Sequence, residues 1–173
     1  MMRKIITLLL VLATSMAYSQ EHEHEELKKN LLTGAFGYTY IPKAAFPEDT
    51  DSKGILVPSI GLDYFRRINK NWEVGTMIDL ELANYLIVDR DLNRDKALVI
   101  TAICAYSFNT PWTVYAGGGI ELEKHENLGV IRMGGERVFS LKNDWVIAPG
   151  FFYDFKGGSY DTWSIAIAFG KEF

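Results

Sequence analysis

The stretch Thr162-Trp-Ser-Ile-Ala-Ile-Ala-Phe-Gly-Lys-Glu-Phe173 ends the chain and decides the class of fold. Large and mostly apolar residues occupy every second position from Trp163 to Phe173, and small or polar residues stand between them. A repeat of two residues is the signature of a β-strand whose two faces meet different surroundings. Because the pattern recurs along the chain, and because the chain stops on an aromatic residue, this strand is predicted to close a β-barrel whose apolar face meets lipid.

The N-terminus has the features of an export signal. Two basic residues precede an apolar run (5–12), and small residues follow up to a cut before Gln20. This order defines a secretory signal peptide, and the run is shorter than the about 20 residues of a transmembrane helix. We predict a cleaved signal over 1–19, a polar periplasmic tail over 20–30 and an outer-membrane barrel of a Gram-negative bacterium over 31–173. An N-terminal anchor helix is the alternative.

Composition narrows the class of protein further. Cleavage removes two positive charges, Arg3 and Lys4, so the formal net charge falls from −4 to −6 and no basic surface for nucleic acid is expected. The single cysteine, Cys104, has no partner for a disulfide. Aromatic residues make up 13% of the chain. An exported chain of this kind is either a soluble β-domain or an outer-membrane barrel.

Eight segments carry the alternation: Leu32–Ile41, Ile55–Arg67, Trp72–Ala83, Ala97–Phe108, Trp112–Glu123, Gly129–Phe139, Trp145–Phe155 and the terminal stretch. They predict an all-β fold, an eight-stranded antiparallel up-and-down transmembrane β-barrel. One segment is apolar on both faces, so its phase stays open, and the outward choice is Leu98, Ile100, Cys104, Tyr106 and Phe108. Two prolines, Pro58 and Pro149, are predicted to mark bulges or edges.

Long and short connections alternate in the first half of the chain, as is typical of external loops and periplasmic turns. The long connections, Pro42–Gly54 and Asn84–Lys96, are the predicted surface for an extracellular ligand or partner. The apolar residues expected to be exposed there are Phe46, Tyr85, Leu86 and Ile87.

A repeat links the short turns, since each leads into a tryptophan that starts a strand: Trp72, Trp112 and Trp145. The neighbouring strands end near the same level with Phe65, Phe108, Phe139 and Phe173. Aromatic residues at one height predict an interfacial girdle against outer-membrane lipid. A second girdle at the other end is predicted from Tyr38, Tyr40, Tyr85, Phe155, Tyr160 and Trp163.

With these features the sequence resembles the small outer-membrane barrels of the OmpX/OmpA type, particularly those of Bacteroidetes-like bacteria. The resemblance covers nearly the whole mature chain and includes the terminal Ile-Ala-Phe-Gly-Lys-Glu-Phe173. It implies that the barrel-assembly machinery reads Phe169 and Phe173. The family has structural, adhesive, pore-forming and lipid-modifying members, so the expected role is structural or surface-interacting, with weak passage of small ions or solutes as an addition.

Six charged positions fall on the predicted inner face: Asp63, Asp79, Glu121, Arg132, Glu136 and Asp154. Buried charges must pair or stay hydrated, and Glu121 or Glu136 is the expected partner of Arg132. The favoured interpretation is a structural polar network. The alternative is a gated, cation-preferring pore, because acids outnumber arginines and the small inward residues leave room for water.

Two other function classes are alternatives to a structural or surface-interacting barrel. A lipid-modifying enzyme needs a nucleophile, a base and an orienting acid, but no His-x-Ser pair is present, so no catalytic residue is predicted. A soluble lipocalin-like barrel for an apolar ligand would turn the large residues inward. No cofactor is expected, and His22 and His24 of the tail are only weak metal candidates, because a solvated terminus is the favoured interpretation.

Overall fold

Hydrogen bonds between the two ends of the chain close a barrel in the computed structural model. The structure describes residues 28–47, 54–108 and 111–173. The predicted signal peptide, His22 and His24 lie outside the described residues. Asn30 and Phe173 exchange backbone hydrogen bonds of 2.9 and 2.8 Å, so the last residue is fixed to the start of the first strand.

Eight long strands form the wall: β1 (Asn30–Ile41), β2 (Ile55–Arg67), β3 (Trp72–Glu81), β4 (Leu98–Ser107), β5 (Trp112–Leu122), β6 (Leu128–Arg137), β7 (Trp145–Lys156) and β8 (Tyr160–Glu172). Each strand pairs antiparallel with the next, and β8 returns to pair with β1 from Leu31–Glu172 to Tyr40–Trp163. The prediction of a closed, eight-stranded, antiparallel up-and-down barrel is confirmed. Within the described residues, no helix is long and apolar enough to cross a membrane.

The large alternating residues point out of the barrel. In β8, Ile165, Ile167 and Phe169 are 60%, 55% and 50% exposed, whereas Ser164 and Ala168 between them are buried. The other strands repeat this arrangement. A soluble barrel around an apolar ligand would have the opposite faces, so the lipocalin-like alternative does not fit this structure.

The burial of alternate residues in β4 shows which face of the fourth predicted segment points outward. Val99, Thr101 and Ile103 face inward, so the outward choice that begins with Leu98 and Ile100 is confirmed. Both prolines lie where pairing is incomplete, as expected for residues that cannot donate a ladder hydrogen bond. Pro58 precedes the first β2–β3 pair, Ser59–Glu81, and Pro149 lies beside an interruption of the β6–β7 pairing.

Glycines on the inner face make room for large side chains from other strands. A β-carbon built at Gly134 would lie 2.7 Å from the Cβ atom of Phe152 and 2.8 Å from the Cε2 atom of Tyr115. A β-carbon at Gly75 would lie 2.6 Å from the Phe65 ring. Gly75 and Gly134 therefore receive neighbouring side chains in place of the expected space for water, which stays a prediction for the other small inward residues.

The two ends of the barrel differ. At the loop end, the short strands Ala44–Ala45, Asn84–Ile87 and Leu92–Asp95 form a separate three-stranded sheet, which we call the loop cap. A 3₁₀ turn, Val88–Arg90, connects its last two strands. At the turn end, the connections are short, and Phe139–Ser140 adds two residues to the edge of β7. A second 3₁₀ turn, Lys142–Asp144, precedes β7.

The inner packing predicts that Gly134 tolerates no larger side chain. We expect Gly134→Ala to lower the free energy of unfolding by about 1–3 kcal/mol, because the added methyl overpacks the interior. Urea unfolding of the protein in lipid vesicles measures it. Gly129→Ala, on the same strand but with no atom within 4 Å of the added carbon, is the control and is expected to be neutral or stabilising by less than about 1 kcal/mol. Equal losses in both variants would contradict the packing.

Candidate functional site in the barrel interior

Arg132 lies at the centre of the interior and bonds strands on opposite sides of the barrel. Its Nε and Nη2 atoms donate to both carboxylate oxygens of Asp154 at 2.7 Å, and its Nη1 atom donates to Asp79. Asp154 is directly opposite Arg132 in the β6–β7 register, whereas Asp79 belongs to β3 across the lumen. The guanidinium also lies 4.0 Å from the centre of the Phe152 ring. We call Arg132, Asp79 and Asp154 the central cluster.

The central cluster corrects the predicted pairing. Neither Glu121 nor Glu136 is the partner of Arg132. Glu121 binds different cations nearer the loop end, and among the described residues Glu136 takes part in no ion pair. Arg132 pairs with the two aspartates because Asp154 accepts a bidentate pair of hydrogen bonds beside it and Asp79 accepts a third across the lumen. Together they satisfy most of the guanidinium donors.

Asp63 and Glu136 also face the interior, and Glu136 lies four residues nearer the turn end of β6 than Arg132. Asp63 is buried and accepts a hydrogen bond of 3.3 Å from Thr33, while its other oxygen has no partner among the described residues. Glu136 is paired in register with Thr113 on one side and Gly150 on the other. All six predicted interior residues therefore lie inside, but they form no single network.

A second group, the loop-side cluster, fills the interior beneath the loop cap. Lys156 is fully buried, and its Nζ atom lies 2.8 Å from both Glu81 and Glu121. Tyr160 donates to Glu121 at 2.8 Å, and its hydroxyl lies 3.1 Å from that of Tyr85, which also donates to Glu81. These bonds join β3, β5, β7 and β8 across the lumen.

The loop cap inserts an arginine into the loop-side cluster. Arg94 is 1% exposed, and its Nε atom lies 3.0 Å from Glu121. Its Nη1 atom donates to the backbone oxygen of Glu126 at 2.5 Å and lies 3.5 Å from Glu123. Arg94 thus ties the loop after β3 to the loop after β5 and closes the interior from above.

Glu123 holds the loops around Arg94 in place. It accepts hydrogen bonds from the backbone N–H groups of Asp95 at 3.1 Å and His125 at 2.6 Å, and its Oε1 atom lies 3.0 Å from the His125 ring. Burial alone raises the pKa of Glu123, but the hydrogen bonds from His125 and Asp95 outweigh it and lower this pKa to about 2.

A third group closes the turn end. Arg67 of β2 donates to Glu73 of β3 at 3.0 Å and to Glu172 of β8 at 3.1 Å. It also donates to the backbone oxygen of Lys28 at 3.2 Å. The interior therefore holds ion pairs at three heights, of which the central and loop-side clusters cross the lumen. Apolar side chains fill the space between these levels on the turn side: Phe65, Met77, Ile103, Ala105, Tyr115 and Phe152.

Sequence reasoning missed the cations of the loop-side cluster. The predicted strand ends at Phe155 and leaves Lys156 to the following connection, although one more step of the alternation through Phe152 and Asp154 places it inside. Arg94 gave no such signal, because it belongs to a loop whose path the strand pattern does not determine. Tyr85 and Tyr160 are predicted members of the second girdle, but this is wrong, because they are 1% and 7% exposed and lie inside.

The remaining girdle residues are on the outer face. The predicted turn-end positions Trp72, Trp112, Trp145, Phe108, Phe139 and Phe173 are all at least 40% exposed. Phe65 is the exception, since it points into the barrel at 6% exposure. At the loop end, Trp163 packs against Phe151 and Tyr153, with ring centres 5.4 and 4.5 Å apart.

The loops expose fewer apolar residues than expected. Phe46 is exposed, and Leu86 is half-buried. Tyr85 and Ile87 are buried, because they pack with Ile41, Val57 and their neighbours in the apolar core of the loop cap. Residues 48–53 of the first long loop lie outside the described residues.

No metal centre is found among the residues that the structure describes, where no group of three or more His, Cys, Asp or Glu is arranged to hold an ion. The ring of His125 contacts the Glu123 carboxylate, and no hydroxyl or thiol within the described ranges hydrogen-bonds to it. The interior clusters therefore provide charge pairing and hydrogen bonding between strands.

Comparison with known proteins supports the fold. No protein-family model and no curated protein sequence matches the chain. Ail, the attachment invasion locus protein of Yersinia pestis in complex with the heparin analogue sucrose octasulfate, is similar at a TM-score of 0.56 and 14% identity, over 84% of this chain and 99% of Ail.

Two further structures share the fold. Neisserial surface protein A is similar at a TM-score of 0.56 and 8% identity, over 83% of this chain and 97% of its own. The N-terminal β-barrel domain of Pseudomonas aeruginosa OprF is similar at a TM-score of 0.56 and 10% identity, over 84% of this chain and 98% of the domain. The chain therefore has the fold of the small eight-stranded outer-membrane barrels of the OmpX/OmpA type. Function must be argued from its own residues.

The central cluster predicts a large effect of removing its cation. We expect Arg132→Met to lower the free energy of unfolding by about 3–5 kcal/mol, because Asp79 and Asp154 would stay buried without a partner. Urea unfolding in lipid vesicles is the measurement. Adding Asp79→Asn and Asp154→Asn should recover part of the loss. Arg137→Met, which replaces an exposed arginine on the same strand, is the control, and it should lower the free energy of unfolding by about 1 kcal/mol or less. A loss as small as this in Arg132→Met would contradict the role of Arg132.

The Glu123 interactions predict an acid-sensitive loop cap. Because the folded pKa lies below the usual 4.5, the stabilisation by the Glu123 carboxylate is complete above that value and is lost as the pH falls towards about 2. Thermal unfolding of the wild type and Glu123→Gln over this range tests it. The difference between their melting temperatures should shrink as the pH falls from about 4.5 towards 2, where the Glu123 carboxylate takes up a proton. A difference that does not change with pH would rule out this role.

Proposed function

We propose that this protein is an outer-membrane β-barrel with a structural or surface-interaction role and a lumen closed to solutes. The observation that carries the proposal is the two levels of buried ion pairs that cross the lumen, centred on Arg132 and Lys156. The half-buried pairs of Arg67 with Glu73 and Glu172 add a third level on one side of the turn end. An eight-stranded barrel is just wide enough for side chains to fill it. Ion pairs that occupy the cross-section favour the structural network over the cation-preferring pore.

The outer surface supports residence in a membrane. Large apolar side chains on the wall, such as Leu62, Ile131, Ile165 and Phe169, are half or more exposed. Complete burial of such a side chain contributes about 1.5–3 kcal/mol, and transfer of its exposed half from water to lipid contributes about half of this, so a wall of them favours lipid. With the predicted signal peptide, this supports the outer membrane of a Gram-negative bacterium. An origin in a Bacteroidetes-like bacterium stays a prediction.

The loop end is the proposed interaction surface. A cleft of about 490 Å³ lies between the loop after β1, the Val88–Arg90 turn and the β7–β8 turn, and its polar lining includes Lys43, Asp89, Arg90, Ser159 and Asp161. Lys43 and Asp89 form an ion pair of 2.6 Å at its edge. Ail, whose name describes attachment and which was solved with a heparin analogue, supports this role by likeness of fold alone.

The proposal assigns no catalytic step. His125 is exposed in a loop, and its contact with Glu123 organises backbone N–H groups around the carboxylate. The proposed role needs no cofactor.

The location is tested by fractionating cells that express the full chain and comparing boiled with unboiled samples on a detergent gel. We expect the protein in the outer-membrane fraction with a heat-dependent mobility shift. The closed lumen is tested in planar bilayers, where the folded protein should give no channel steps under conditions in which a porin does. A soluble periplasmic protein would overturn the membrane assignment, and stable cation-selective steps would replace the closed lumen with the pore.

Phe173 is predicted to act in assembly through recognition of the last strand by the barrel-assembly machinery. Phe173→Asp should leave export intact but reduce the yield of heat-modifiable barrel severalfold, because a charged residue replaces the terminal aromatic of the recognised strand. Quantitative gels of outer-membrane fractions measure the yield, and Lys171→Asp, an exposed position on the same strand, is the control. A normal yield from Phe173→Asp would show that Phe173 is not part of the signal.

A further inference from the structure

Among the described residues, the outer wall has a depression in its apolar surface on the side formed by β2 to β5. This groove, of about 460 Å³, is lined by Tyr64, Arg66, Thr76, Ala102, Cys104 and Ala116. The register explains it, because Thr76 pairs with Ala102 and Cys104 pairs with Ala116, so small outward residues meet on adjacent strands. Nearer the loop end, the outward positions that pair across the same four strands carry larger side chains, namely Leu62, Ile78, Ile100 and Ile120.

A cation stands at the rim of this groove. Arg66 points outward, since it alternates with the inward-facing Phe65 and Arg67. Its Nη1 atom lies 3.4 Å from the side-chain oxygen of Asn30, and among the described residues no carboxylate lies within 4.0 Å of its guanidinium. The aromatic pair Trp72–Tyr106, with ring centres 5.0 Å apart, lies at the start of β3, close to the level of Arg66. Arg66 therefore lies near the proposed membrane interface with its charge unmatched.

We propose that the groove binds one acyl chain of an anionic phospholipid whose phosphate contacts Arg66. A flexible hydrocarbon chain fills an irregular apolar depression and restores the dispersion contacts that the short side chains leave unmade. The headgroup phosphate supplies the negative charge that the protein does not, and a long arginine side chain reaches the headgroup level. The inference rests on the proposed membrane location and adds a lipid site to it.

A second copy of the chain fits this groove less well. Two copies that packed groove against groove would bring their Arg66 side chains together without a counter-charge among the described residues. Like charges that approach one another in a low-dielectric region are destabilising. The charge at the rim therefore favours an anionic lipid.

Native mass spectrometry of the folded mature protein tests the site. The protein is released from detergent after incubation with equal amounts of phosphatidylglycerol and phosphatidylcholine that carry identical chains. The wild type should retain one lipid and prefer phosphatidylglycerol by about fivefold, which is the effect of one interfacial cation. Ala102→Leu/Ala116→Leu should lose the retained lipid because leucine fills the groove. Arg66→Gln should keep a lipid but lose the preference.

Two variants elsewhere on the wall serve as matched controls. Gly34→Leu adds bulk to the outer face of β1, where no atom lies within 4 Å of the new carbon, and Lys171→Gln removes an exposed cation at the same end. Both should behave as the wild type. Retention that is unchanged in the filled-groove variant, or a preference that survives Arg66→Gln, overturns the inference.

Insertion of each protein into vesicles, followed by its heat-dependent mobility, separates the two proposals. A wild type that does not insert overturns the membrane location and the lipid site together. Insertion without a lipid adduct that depends on the groove overturns the lipid site alone.

Discussion

The structure depends on the burial of charge inside a barrel whose outside is apolar. Arg132, Asp79 and Asp154 are each removed from water, which is tolerated only because the guanidinium satisfies both carboxylates and stacks over Phe152. Since Asp79 lies on β3 and Arg132 on β6, this interaction fixes the distance between opposite walls. The barrel, with polar residues inside and large apolar residues outside, therefore keeps a fixed width at the level of these three residues.

The inner glycines and the three levels of ion pairs together allow side chains to fill a narrow lumen. A narrow barrel cannot hold a large side chain at every inward position, so Gly75 and Gly134 receive Phe65, Tyr115 and Phe152 from neighbouring strands. The charged levels then lie above and below this apolar filling. The loop cap adds Arg94 from outside the wall, which makes closure of the loop end depend on a loop. The molecule thus combines a rigid, closed body with a surface formed by its connections.

The strands and their faces could be predicted from the sequence, because a period of two is a local property that neighbouring residues display directly. The pairing inside the barrel could not. Which acid meets Arg132 depends on the relative shift of β3 against β6, and no residue spacing within one strand encodes that shift. Phe65 and Tyr160 show a second limit of prediction from sequence. As aromatic residues they are expected in the girdles, but their position in the alternation places them inside. Arg94 lay beyond any strand pattern.

Accessibility of nitroxide labels along β8 in lipid vesicles tests the central claim most directly, because the claim concerns which face meets lipid. Single cysteines at 164 to 168, introduced after Cys104→Ser, would carry the label. Labels at positions 165 and 167 are expected to be reached by oxygen dissolved in the bilayer but not by a water-soluble relaxation agent. Labels at 164, 166 and 168 are expected to be shielded from the lipid. Positions 165 and 167 that are open to the aqueous agent would contradict the central claim.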